Sequence, residues 1–146
     1  PKPEPKADAA PPHPVYDAKV GEWIRVRRTA PTGQSVEMVL TVTEVTEDTV
    51  VLSQLLHIGE REIQGPDINR PRDKTLTPPE NYELVGYDRE KVTVGEREFD
   101  CHVMTATDPS GVEMKWWVCH DVPVNGYVKV ERDGKPMMEL VEWGTE

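Results

Sequence analysis

An all-β protein of about eight hairpin-connected antiparallel strands is what this sequence predicts, and three observations predict it. From Val20 onward, short segments rich in Val, Thr, Ile and Trp alternate apolar with polar residues, the period of a pleated strand. Turn-forming residues separate those segments at short intervals, the rhythm of an antiparallel sandwich or barrel. With 146 residues the chain has room for one domain of the usual ~100–200 residues, so the strands share a single framework.

The elements follow in order. Residues 1–14, PKPEPKADAAPPHP, hold six prolines and no other apolar side chain larger than alanine. They cannot bury enough surface to offset ordering entropy and are expected to form a disordered, spacer-like leader. Leaders of this composition tether exported domains, and a chain that starts at Pro1 suggests removal of a preceding segment; a ragged terminus is the plainer alternative. Residues 15–146 are expected to form one antiparallel β domain, with strands near 22–29, 35–46, 49–58, 89–94, 98–107, 112–119, 126–132 and 136–143. Pro31-Thr32-Gly33, Glu47-Asp48, Asp108-Pro109-Ser110-Gly111 and Asp133-Gly134 supply the turns, the last a strong hairpin signal. Residues 65–81, GPDINRPRDKTLTPPEN, interrupt the pattern with four prolines and form a long irregular connection. Thr77-Pro78-Pro79-Glu80 has the chemistry to cap a short helix through Leu84. The connection is either a binding lid or a crossover between two halves of the sheet.

Charge narrows the partners. Seventeen basic against twenty-seven acidic residues give a net charge of −10, which repels nucleic acid and anionic lipid surfaces. Arg25, Arg27 and Arg28 are expected to form a solvated strand face, with an anion site as the alternative. No apolar run approaches the ~18 residues of a membrane span.

Two dipeptides, Cys101-His102 and Cys119-His120, flank the hairpin FDCHVMTATDPSGVEMKWWVCHD. Its turn suits a three-residue loop in which Asp108 faces Val112, and that register sets Cys101 opposite Cys119. These are the chain's only cysteines, so a Cys101–Cys119 disulfide in an oxidising compartment is expected. A loop one residue tighter would place Cys101 opposite Val118, and buried reduced thiols are the rival reading. Because successive side chains alternate faces, the thiols and imidazoles point to opposite sides, which excludes a Cys2His2 zinc site.

Met104, Ala106, Val112, Met114, Trp116 and Val118 share one apolar face and are expected to be its core side. Asp100, His102 and His120 sit at the end of that face, as a polar rim, a metal site or a tuned general base, and the rim is preferred. Trp117 belongs to the opposite face with Val103 and the cysteines, over the disulfide or as a binding platform. His57 stands alone in an apolar strand, where a satisfied core histidine is expected. No GxSxG, phosphate loop or HExxH is present, so neither catalysis nor a metal or cofactor is expected.

Val20-Gly21-Glu22-Trp23, VTVGEREFDCHV at 92–103, WWVCHDVPVNGYVKVERDG at 116–134 and ELVEW at 139–143 resemble segments of exported bacterial β proteins related to the half-barrel lipoprotein carriers of the periplasm. The resemblance covers about half of the chain and rests on strands and turns. It implies a curved antiparallel sheet or half-barrel wrapped around one short helical or irregular connection, tethered at the cell envelope. The function expected is a non-catalytic exported module that holds a lipophilic ligand or lipoprotein segment on a concave apolar face, with Met104, Met114, Trp116, Leu40 and Leu55 as its ligand-binding residues. The alternative is a cell-envelope structural or protein-interaction domain tethered by its leader.

Overall fold

Ten strands, in a computed structural model that describes residues 10–30 and 32–145, form one curved, open antiparallel sheet. They are β1 (Glu22–Thr29), β2 (Ser35–Val45), β3 (Thr49–Ile58), β4 (Arg61–Gln64), β5 (Ile68–Pro71), β6 (Glu83–Val94), β7 (Arg97–Thr107), β8 (Glu113–Val118), β9 (Tyr127–Arg132) and β10 (Lys135–Thr145). Across the sheet the order is β4-β3-β2-β1-β10-β9-β8-β7-β6. β5 shares the outer edge of β3 with β4, pairing with Thr49–Leu52 while β4 pairs with Leu55–Ile58. Two meanders, β1–β5 and β6–β10, are therefore joined along the β1–β10 pair.

Turn chemistry sets the hairpins. Asp133 and Gly134 both adopt positive φ, 54° and 74°, as a tight hairpin turn with matching twist demands. Asp108 accepts from the amides of Ser110 and Val112, and its own amide donates to Val112 O at 2.9 Å. The register that follows is the expected one: His102 faces Val118, Met104 faces Trp116 and Thr107 faces Glu113.

The all-β, curved antiparallel sheet of about eight strands is as expected, with β4 and β5 bringing the number to ten: every residue of β4 is exposed, so no burial pattern marks it, and β5 ends on Pro71 inside the segment read as irregular. Two expectations are corrected. No helix forms after Thr77: the Tyr82 amide closes one turn onto Pro79 O, and Asn81 then takes φ 71°, which ends it before β6 begins. Residues 10–14 do not belong to a disordered leader, since Pro11, His13 and Pro14 are buried and a 3-10 turn spans Pro14–Asp17. The leader expected at residues 1–9 lies outside the described residues.

Strands β7 and β8 are buried on both faces, giving two apolar clusters. The larger is rich in valine and includes Ile24, Val26, Val42, Val50, Leu52, Val103, Trp117 and both cysteines. Phe99 of β7 meets Trp143 of β10 across it, ring centroids 5.7 Å apart, and Arg97 lies over the same indole. This face is therefore the inside of the curl, and the face carrying Met104 and Trp116 is the outside. The reading that made the latter the core side of the concave sheet is inverted: both faces of β7–β8 are apolar, and alternation does not say which one the sheet bends toward.

Candidate functional site

The outer face of β6–β10 is organised in rows of cross-strand neighbours. Tyr87, Met104, Trp116, Val130 and Met138 form one row, from β6 to β10. Leu84, Ala106, Met114 and Arg132 flank it toward the β7–β8 turn. Arg89, His102, Val118 and Tyr127 flank it on the other side. The surface thus grades from apolar to histidine-bearing within a few strand steps.

A roof closes this face. Residues 72–82 cross it without joining the sheet; their single bridge, Thr75 with Pro12, is to the segment that precedes β1. Leu76 is fully buried among Met104, Ala106, Met114, Trp116, Val118 and Val130. Its carbonyl accepts from the Tyr87 hydroxyl at 2.5 Å, and burial raises the phenol's pKa. Tyr82 packs on Trp116 with centroids 6.0 Å apart. Leu76 and Ile68 are the only large aliphatic residues between Gly65 and Asn81; a lone apolar side chain in a polar crossover is the sequence signal that marks where it dips into a core.

A strap, residues 10–18, clasps the roof. The His13 amide donates to Lys74 O at 3.0 Å and the Leu76 amide to Pro11 O at 2.8 Å. Arg72 donates to Tyr16 O at 3.0 Å, with its guanidinium over the Tyr16 ring. His13 is 3% exposed. Its Nδ1 accepts the Val15 amide and its ring stacks on Tyr127, whose hydroxyl accepts from Arg70 at 3.2 Å. Pro14 packs so closely on Gly126, at φ 73°, that a Cβ there would collide with the Pro14 ring. Burial, then the Arg70 charge and His120, push the His13 pKa down to about 4.

The rim residues gather although the β7–β8 ladder ends at His102–Val118, short of His120. His102 and His120 lie edge to face with centroids 5.7 Å apart, and Asp100 binds Arg89 at 2.9 Å. Burial foremost, then Arg89 and His120, lower the His102 pKa against the opposing pull of Asp100. Among the described residues no group of three or more His, Cys, Asp or Glu side chains is placed to hold a metal ion.

The expected ligand residues do not share one face. Met104, Met114 and Trp116 are together under the roof, whereas Leu40 is buried in the valine-rich cluster. Leu55 pairs with Val39, one step out of phase with the Val50, Leu52 and Leu56 side chains that enter that cluster. The expected disulfide is corrected as well: Cys101 and Cys119 are free, buried thiols in one cluster. The β7–β8 ladder ends at the His102–Val118 pair, and the Cys119 amide turns away to Gly126 O. Desolvation, with Cys119 as the next contributor, pushes the Cys101 thiol up to about 12. His57 is half-exposed rather than a core histidine, with Nδ1 3.6 Å from Glu62. Of the three arginines on β1, Arg25 pairs with Glu142 and Arg27 with Glu37.

Two open clefts lie elsewhere. One of about 460 Å³ lies between the tips of the β1–β2 and β9–β10 hairpins, against Thr29, Ala30, Lys135 and Met137. The other, about 300 Å³, is polar and is lined by Arg25, Ser35, Glu37 and His57. No described helix is long and apolar enough to cross a membrane. The fold is thus an open antiparallel sheet with a valine core inside and a roofed Met- and aromatic-rich face outside. No family model, curated protein or solved structure matches the chain.

Proposed function

We propose that the chain is a non-catalytic binding module that takes a lipophilic ligand, or an apolar segment of a partner, on the outer face of β6–β10 in place of the Leu76 plug. One observation carries this reading: the two clusters differ in kind. Four of the five methionines, Met104, Met114, Met137 and Met138, and three of the four tyrosines, Tyr82, Tyr87 and Tyr127, border the roofed face. Unbranched thioethers and large rings repack around varied apolar shapes, whereas β-branched valines fix one packing. The cover, residues 72–82, has one sheet-type bridge, so displacing it breaks few backbone bonds. An envelope location is proposed on the Pro-, Ala- and Lys-rich composition of the first residues alone, because the unbridged cysteines lend it no support.

Titration of oleate or anilinonaphthalene sulfonate against tryptophan emission tests the reading, with Trp116→Phe to identify the reporter. A saturable response lost in Trp116→Phe, and strengthened when Leu76→Ala shortens the plug, is expected. Silence of wild type and Leu76→Ala alike would overturn it. The alternative, an envelope protein-interaction domain, is favoured by the outer edge of β6, twelve residues long and unpaired among the described strands.

A further inference from the structure

We infer that mild acid opens the roof: protonation of His13 releases the strap and, with it, residues 72–82 from the Met- and aromatic-lined face. The inference rests on reading that face as the binding surface. The geometry leaves the second proton nowhere to go. Nδ1 is occupied as an acceptor by the Val15 amide at 3.2 Å, so protonating it turns an acceptor into a donor aimed at another donor.

Among the described residues, the charged and titratable groups around the ring offer no counter-ion. Arg70 approaches from β5 and His120 from the loop after β8, and both disfavour a cation there. Tyr127 of β9 stacks on the ring with its hydroxyl already engaged by Arg70. A buried imidazolium in such surroundings is relieved only by leaving.

What leaves with it is set by the backbone. The His13 amide holds Lys74, and two residues away Pro11 holds Leu76. Withdrawing His13 therefore frees the carbonyl and amide on either side of the Thr75 bridge, and the buried Leu76 side chain loses its tether.

The sign follows from linkage. The ring titrates near 6.5 when free and near 4 in the clasp, so the open state binds the extra proton first. Clasp stability is full above pH 6.5 and is lost as pH falls toward 4. The open population should rise about 25-fold between about pH 7.5 and about pH 5.

Hydrogen exchange of the intact protein, corrected for the intrinsic rate at each pH, reads this without any ligand. Protection at the His13 and Leu76 amides should fall by that factor while the Met104 and Trp116 amides hold, and His13→Gln should abolish the dependence on pH. Equal protection at both pH values would overturn the inference, as would the full fall persisting in His13→Gln. Should that variant not fold, the imidazole titrations of the wild type decide: release that tracks His102 or His120 rather than His13 also overturns it. Release without oleate uptake at either pH would sink the binding reading and support acid opening. Oleate uptake with no release would do the reverse.

Discussion

Asp108 shows how much one side chain settles. Its Oδ1 accepts from the Ser110 amide, the Ser110 hydroxyl and the Val112 amide, and Oδ2 accepts from Arg132 at 3.2 Å. The Ser110 hydroxyl, then the Val112 amide, hold its pKa down to about 2. Because the folded value lies below the free value of 3.8, this contribution is full above 3.8 and fades as pH falls through 2. Asp108→Ala should lower the urea midpoint at neutral pH, with the gap from wild type narrowing as the acid limit is reached. A gap that stays constant down to pH 2 would contradict the assignment. The β7–β8 register was legible because it is local chemistry: four consecutive residues dictate the loop, and the loop dictates every pair beyond it. The disulfide was not, because Cys119 leaves the ladder at a loop whose Val124 takes φ 70° and whose Gly126 accepts the Cys119 amide, features no spacing announces. With both thiols buried and the Cys101 pKa near 12, Ellman's reagent should react with neither cysteine in the native protein and with both after denaturation. Rapid reaction of the native protein would refute their burial.

At the scale of elements, β6 and the roof were the hardest to read. The strand begins at Glu83, ahead of the expected start at 89, because the bulge between Leu84 and Gly86 breaks its alternation. Its exposed edge carries Asp88 and Glu90 on the inner face and Arg89 and Lys91 on the outer. In a two-fold antiparallel pairing with a second β6, residues of one face meet residues of the same face, so acid would oppose acid and base oppose base. The edge thereby resists joining its own copy. Replacing Asp88, Arg89, Glu90 and Lys91 by threonine should produce concentration-dependent dimers in sedimentation velocity; a variant that stays monomeric would mean something else guards the edge. In the roof, Leu76→Ala should destabilise the protein by about 2–5 kcal/mol in urea unfolding, the range for truncating a buried leucine. A cost near zero would show that the plug is not packed in solution.

For the molecule as a whole, strand content and pairing within hairpins were legible, and sidedness was not. Alternation groups Met104 with Trp116 and Cys101 with Trp117, but the side toward which the sheet bends shows only in contacts such as Phe99 with Trp143, made between strands three apart in the sheet. What covers the outer face comes from Leu76, far from either strand in sequence. The order of strands carries one more consequence. The seam of the sheet is β1 against β10, where Glu22 pairs with Thr145, so the two ends of the described fold lie side by side at its middle. Each meander closes through short loops, while the seam joins residues separated by most of the chain, so it is expected to be the slow step of assembly. Joining the C-terminal end of β10 to the strap through a flexible linker and opening new termini at Pro78-Pro79 should leave every strand pair in place, make the seam local and speed folding, and turn the roof into two free ends.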